Sequence, residues 1–373
     1  MIRMTVLASG SKGNSTLVSS SRTTILVDAG LSCREFFRRM QEAGQDPRSL
    51  DAILITHEHQ DHVQGLAVTA RKLGIPVFFT APTHRAWMRW MVPQKRLTYA
   101  AWLAQRAKDF EAKAALKAEP AAKLKQTSDG NQGYAALRDQ HADTLVEELD
   151  AKSNIQNGGT GFAEKLSAEI SEVSAESNVS SSYDAGPPEC EEEDDRPGTK
   201  EPVDPCALPA VEFFEPGVRF SIGDIEVDPF TIPHDAADPV GFIFRSEGIK
   251  IGIATDLGYM PASVKEHLRG CDVLMLESNH DIEMLRDGPY PWSVKQRVMS
   301  RVGHLSNEAT ADFLEKNYDG GATYVILAHL SESNNLPELA RVSAERALRD
   351  RMNLLCNRLV LAEQHTSGTP IQL

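Results

Sequence analysis

Three histidines and an aspartate stand within six residues, at His57, His59, Asp61 and His62, directly after the apolar run Ile53-Leu54-Ile55. Neutral imidazoles with one carboxylate make a donor set for zinc, manganese or ferrous iron rather than calcium, which takes oxygen alone. The pattern is HxHxDH. It is not the HExxH of a zincin helix, because the residue four after His57 is Asp61. A strand end gives stiff support, and the turn after it lets alternate side chains converge on one point. A carboxylate at Asp61 suits a helix N-terminus, so a helix through Val68 is expected to begin there. An ordinary polar turn accounts poorly for so dense a cluster.

The same placement recurs farther along the chain. His57, His234, Asp256, Glu277 and His329 each follow an apolar stretch directly. Any one of them alone reads as a satisfied buried polar residue. Together they read as a shared site at one rim of a sheet structure. The runs that must position them are strands: 3–8, 15–18, 24–28, 53–55 and 75–79, then hairpins over 219–233 and 241–255, then 273–277, 324–328 and 359–362. Helices are expected from Ser32 to about Gly44, around Trp87–Trp90, and at 261–269, 293–301, 306–316 and 336–352. Strand pairs come first and strand–helix alternation later in each half, which predicts two sheets sandwiched between helix layers. The loop Ser9–Ser15 is glycine-rich, but it lacks P-loop spacing and no helix follows it, so a hairpin turn is the plainer reading.

The chain has 373 residues, 41% hydrophobic and 25% charged, as expected of a globular protein without a membrane-length apolar run. Its five cysteines, Cys33, Cys190, Cys206, Cys271 and Cys356, are odd in number and contain no CxxC. They read as reduced thiols in a cytoplasmic protein, not as a disulfide framework or zinc ribbon. The net charge of −14 is unevenly spread. Residues 97–210 hold 11 basic and 22 acidic side chains, against 28 and 31 in the remainder. The charge argument against a polyanionic substrate therefore falls on one segment. That segment begins with alanine-rich helix formers, 97–127, and continues over 128–208 with serine, glycine and acidic residues. Such a composition buries too little apolar surface to offset ordering entropy. The expected organisation is a first half (1–96), an insertion (97–210) and a second half (211–373).

These motifs resemble the metallo-β-lactamase superfamily over 1–96 and 211–365, which implies a four-layer αββα fold of the α/β (α+β) class. By resemblance, one divalent ion would take His57, His59 and His234, the other Asp61, His62 and His329, with Asp256 bridging. Leu7–Ser15, Leu276–Asp281, Gly303–Asn307 and His329–Asn335 are similar to the YycJ/WalJ group of that superfamily, near ribonuclease Z and the phosphodiesterases. The acidic insertion is not part of that pattern. The resemblance implies two Zn²⁺ or Mn²⁺ ions about 3.5–4 Å apart and a nucleic-acid phosphodiester substrate, cleaved 5′-to-3′ by a hydroxide shared between the ions. Asp61, Asp256 and His304 would be catalytic, His304 as general acid oriented by Glu277 or Glu308. Ser11, Asn14, Glu277, His280 and Asn307 are the residues expected to meet substrate. His84, His141, His267 and His365 read as surface or structural. Three other readings stand beside this one. A glyoxalase II-like thioester or lactone hydrolase would use the same ligands. A scaffold that binds a partner protein through the acidic insertion would need none of them. A flavodiiron reductase would need a flavodoxin-like domain that does not follow.

Overall fold

The computed structural model describes residues 2–92, 204–354 and 358–373. The helical arm expected over 97–127 and nearly all of the stretch 128–208 lie outside the described residues.

The first half opens with three strands, β1 (Arg3–Ala8), β2 (Ser15–Ser19) and β3 (Thr24–Val27). Helix α1 (Cys33–Glu42) follows, its free amides capped by Ser32, which accepts from the Glu35 amide. Then come β4 (Ala52–Leu54), α2 (Gln60–Val63), α3 (Leu66–Leu73), β5 (Pro76–Phe79) and α4 (Ala81–Met91). The second half contains β6 (Ala210–Phe213), β7 (Phe220–Ile222), β8 (Ile225–Thr231), β9 (Val240–Ser246) and β10 (Ile249–Ala254). It continues through α5 (Ala262–Leu268), β11 (Val273–Glu277), α6 (Ile282–Asp287), α7 (Trp292–Val298), α8 (Asn307–Lys316), β12 (Tyr324–Ala328), α9 (Pro337–Leu354), β13 (Arg358–Leu361) and β14 (Ile371–Gln372).

Two seven-stranded sheets result, in the orders β14-β1-β2-β3-β4-β5-β6 and β13-β12-β11-β10-β9-β8-β7. Each is antiparallel on one side and parallel on the other, with the change at β3 in the first sheet and β10 in the second. Alternation along each strand sends every second side chain to the opposite face. Val18, Ile25 and Leu54 of the first sheet meet Val227, Phe242, Phe244 and Ile251 of the second in one inter-sheet core. Truncating a fully buried aromatic there, as in Phe242→Ala, costs about 3–5 kcal/mol. The outer face of the first sheet packs Leu26 and Ile53 under Phe36, Met40, Leu66 and Trp87. The outer face of the second packs Leu274 and Val325 under Val264, Phe313, Leu314 and Ala344. The layers are therefore helix, sheet, sheet, helix.

Local readings of the sequence differ from the structure in several places. The helix expected from Asp61 through Val68 is two short helices, the first beginning at Gln60 with Asp61 in its first turn. The chain bends at Gly65 because its backbone lies against Leu31, where a Cβ would stand 1.8 Å from the carbonyl oxygen. Helix α4 is longer than the 87–90 expected, since Thr80 caps it and a proline fits its first turn. Strands β6 and β14 and helix α6 were not foreseen; β6 and β14 are edge strands, short in apolar pattern. Residues 204–208 are described, and Cys206 and Leu208 pack against the helix-side core of the first sheet.

Candidate metal centre

The HxHxDH turn leaves β4 with its backbone pinned on both sides. Asn14 donates its amide to the Asp61 carbonyl at 2.7 Å, and Ala29 donates to the His62 carbonyl at 2.8 Å. Gly30 is required at this approach, because a Cβ there would sit 1.8 Å from the Asp61 oxygen. The Ser9–Ser15 loop thus serves as a clamp. Asn14 reaches from it to the Gly10 backbone, to Asp61 Oδ2 at 3.2 Å and to His62 Nε2 at 3.0 Å.

His57, His59 and His234 converge: His59 Nδ1 lies 3.1 Å from His57 Nε2 and 3.2 Å from His234 Nε2. A second group forms beside it, with Asp61 Oδ2 3.3 Å from His329 Nε2 and 3.5 Å from His62 Nε2. In each trio the candidate ligand atoms all lie within 4.8 Å of one another, and His57, His62 and Asp256 form a third such group linking the two.

The second sheet delivers its residues one per strand. Parallel pairing sets Ala254 opposite Leu276 and Glu277 opposite Ala328, so Asp256, Glu277 and His329 emerge at one rim. Asp256 and His329 then take left-handed backbone, φ 61° and 56°, as does Asp28 after β3 at 61°. Non-glycine residues held there cost on the order of 1–3 kcal/mol each, and such strain gathers at functional sites. His234 follows β8 and is oriented by the Gly303 carbonyl at 3.1 Å from Nδ1.

Behind the ligand atoms lies a layer of carboxylates. Asp28 Oδ2 is 2.8 Å from His62 Nδ1, and Asp28 also accepts from the Thr56 amide and hydroxyl. Glu277 Oε1 is 2.7 Å from His304 Nδ1 and 3.0 Å from His329 Nδ1, while its other oxygen accepts from the Leu257 and Leu305 amides. Such partners fix the tautomer and ring orientation of metal-binding histidines. Asp28 and Thr56 were missed in the sequence, although Asp28 ends an apolar run just as Asp256 does.

A divalent ion fits these residues. Asp256 Oδ2 is buried and makes no hydrogen bond, with His62 Nε2 3.5 Å away, an arrangement that a cation between them would satisfy. Burial holds His57 and His234 below the ordinary imidazole range, which favours the neutral ligand form. Burial also disfavours charge on His62 and His329, but the surrounding carboxylates, Asp256 foremost, more than offset it and raise both well above that range. An ion replacing those protons satisfies the same carboxylates.

The cavity over these atoms has a volume of about 260 Å³ and is lined by His59, Asp61, Asp256, His304 and His329, with Ser11 and Asn279 at its side. Four of the residues expected to meet substrate lie behind its wall instead. Glu277, Asn307, His280 and Asn14 are all buried, and the side chains of Glu277, Asn307 and Asn14 bond to ligands or loops around the site. His280 does not reach the cavity, and burial pushes it down to about 4. Glu308 is not the carboxylate that orients His304; Glu277 is. His84 packs among Phe79, Trp87 and Phe213, His267 stacks on Phe230 and His365 pairs with Glu332; His141 lies outside the described residues.

A model of the metallo-beta-lactamase superfamily matches residues 8–120, and one of the beta-lactamase superfamily domain matches 168–330. The chain belongs to the metallo-β-lactamase superfamily. Among curated relatives of this superfamily member, exodeoxyribonuclease YycJ of Bacillus anthracis is 27% identical over 350 residues, 94% of this chain and 90% of that protein. Exodeoxyribonuclease WalJ of Streptococcus pneumoniae is 26% identical over 341 residues, covering 91% and 86%. The crystal structure of the metallo-beta-lactamase fold protein YhfI from Bacillus subtilis superposes with a TM-score of 0.50 at 12% identity over 98% of each chain, a likeness of fold alone. The donor set and the fold are those of a metal-dependent hydrolase. No helix among the described residues is long and apolar enough to cross a membrane.

Proposed function

We propose that this chain is a dinuclear metal-dependent phosphodiesterase acting on nucleic acid, with 5′-to-3′ removal of nucleotides from DNA as its reaction. The observation that carries the reading is the two ligand trios joined through Asp256, with His304 on the same cavity wall and Glu277 behind it. His57, His59 and His234 would hold one divalent ion, Zn²⁺ or Mn²⁺, and Asp61, His62 and His329 the other. Ions bound there lower the pKa of a coordinated water towards about 7 and offset charge on phosphoryl oxygens.

The chain's own residues supply the rest. Asp256 faces both trios and sets their separation. His304 is held through Nδ1 by Glu277, so its other ring nitrogen is left for the cavity that the ring lines. Burial disfavours charge on His304, yet the Glu277 carboxylate more than offsets this and raises it above the ordinary imidazole range. A proton held near neutral pH at that position is what a departing alkoxide needs. The names of the YycJ and WalJ relatives support DNA as the polymer.

Thioester hydrolysis would draw on the same ligands. A thiolate, with a pKa of about 8.5, leaves without a proton donor, so the built His304–Glu277 pair favours the phosphodiester. Assays with bis-p-nitrophenyl phosphate and a thioester, followed by digestion of 5′- and 3′-labelled strands in Mn²⁺ and Zn²⁺, test the reading. Turnover of the thioester alone would refute it.

A further inference from the structure

Asp61, His62 and His329 all meet one loop, Ser9–Ser15. The Asn14 amide donates to the Asp61 carbonyl at 2.7 Å, and the Asn14 side chain places Nδ2 3.2 Å from Asp61 Oδ2 and 3.0 Å from His62 Nε2. At the other end of the loop, the Ser9 hydroxyl accepts from the His329 amide at 2.8 Å. The first trio is held by other means. His57 Nδ1 meets the Thr56 hydroxyl at 3.0 Å and His234 Nδ1 meets the Gly303 carbonyl at 3.1 Å. Glu58 accepts from the Ala237 amide, in the loop that carries His234. The Ser9–Ser15 loop is therefore a frame for one trio.

The loop needs a brace. Its backbone takes φ of 146° at Gly10 and 155° at Gly13, and glycines lose the most conformational freedom when they are fixed. The brace comes from the segment that follows β13. That strand runs parallel to β12 with Leu361 opposite Leu327, so Glu363 and Gln364 leave the sheet at the rim where His329 leaves it. The Glu363 carbonyl accepts from the Ser9 amide at 3.0 Å. Gln364 reaches the loop tip, where its Oε1 accepts from the Lys12 amide at 2.8 Å and its Nε2 donates to the Gly13 carbonyl at 3.1 Å. Gln364 is buried, and Arg39 donates to its carbonyl at 2.9 Å. Two bonds from a buried side chain on an anchored backbone hold the loop stiffly, and losing them leaves a buried carbonyl unpaired.

We propose that Gln364 is a positioning residue for the second ion: through the Ser9–Ser15 loop it sets the places of Asp61, His62 and His329, and it leaves the trio of His57, His59 and His234 alone. The affinities of the two ions are then separable. The inference rests on the two-ion reading and adds what governs one of the ions. The test titrates the metal-free full chain with Co²⁺ alone, followed by calorimetry and by the visible spectrum of the bound ion. The parent should take up two ions. Asp61→Ala breaks the second site and His59→Ala the first, so each keeps one ion to report on. Gln364→Met keeps the length of the side chain and loses both hydrogen bonds. Added to His59→Ala, it should weaken the remaining ion about 10-fold, the lower end of the range for groups that orient ligands. Added to Asp61→Ala, it should leave the remaining ion unchanged. Ser9→Ala removes one hydroxyl and little packing, and it should weaken the same ion as Gln364→Met by a smaller factor. Weakening of the first ion, of both alike or of neither by Gln364→Met would overturn the proposal. A parent that takes up a single ion would refute the two-ion reading, and this inference with it.

Discussion

The two halves of the metal centre are built by opposite means. The first sheet supplies four candidate ligands from one turn after β4, at His57, His59, Asp61 and His62. The second supplies His234, Asp256 and His329 from the ends of three separate strands. Yet the support is the same on both sides: a buried carboxylate behind the ligands, Asp28 in the first half and Glu277 in the second, each accepting from a histidine Nδ1. A turn can concentrate ligands because its neighbours clamp its backbone. Strand ends can gather them because parallel register is rigid. The shared device is the carboxylate, which fixes ring orientation whichever backbone brings the ring.

The largest effect is expected at the residue that belongs to both groups. Asp256→Ala should lower bound metal, measured by elemental analysis, and cut phosphodiester turnover on the order of 10³-fold or more. Full metal content in that variant would show that the halves need no common carboxylate. His304→Ala should reduce kcat about 10²–10⁴-fold on a nucleotide leaving group and less on p-nitrophenolate, which departs without a proton. Equal losses on both would assign His304 to the metal rather than to the leaving group.

The comparison itself is sharpened by Asp28→Asn and Glu277→Gln. Each should cost about 10–100-fold in metal affinity by chelator competition. A loss confined to one of them would break the equivalence of the two halves. The smallest expected effect concerns how the first half is fastened. Arg39 is buried, donates to the Leu7 and Gln364 carbonyls, and pairs with Glu35. The hydrogen bond from Arg38, with help from Arg39, lowers Glu35 from 4.5 to about 2. Because the folded value is depressed, the stabilisation is present above about pH 4.5 and is lost as pH falls towards about 2. Glu35→Gln should therefore be less stable than the parent at neutral pH, with the gap closing across that window in acid-titrated denaturation. A gap that stays constant with pH would remove the charge from the explanation.

Much of this was legible beforehand because it is local. Apolar runs of four to seven residues bounded by Gly and Asp gave most strands, and Ser32 and Ser306 marked helix starts that the structure places there. The turn of β9–β10 needed positive φ at Glu247 and Gly248, and the text Ser246-Glu247-Gly248 supplied it. Strand β14 was not legible, since two residues carry no period, and its place beside β1 depends on where the chain end returns. The division of roles among Ser11, Asn14, His280 and Asn307 was equally hidden. All four stand in similar polar text, and only packing decides that Ser11 faces the cavity, that Asn14 and Asn307 bond the loops around it, and that His280 is buried.

The sequence by itself determined the kind of chemistry, because four of six consecutive residues carry donors that suit zinc, manganese or ferrous iron rather than calcium. It also determined the layered architecture, because strand and helix periods differ and can be read from the spacing of apolar residues. The tertiary structure alone decided that Asp28 and Glu277 stand behind the rings, that His304 faces the cavity and His280 does not, and that α7 walls the site. Those outcomes follow from strand register and from loops meeting across hundreds of residues, and a contact between distant segments leaves no mark in either segment's own pattern.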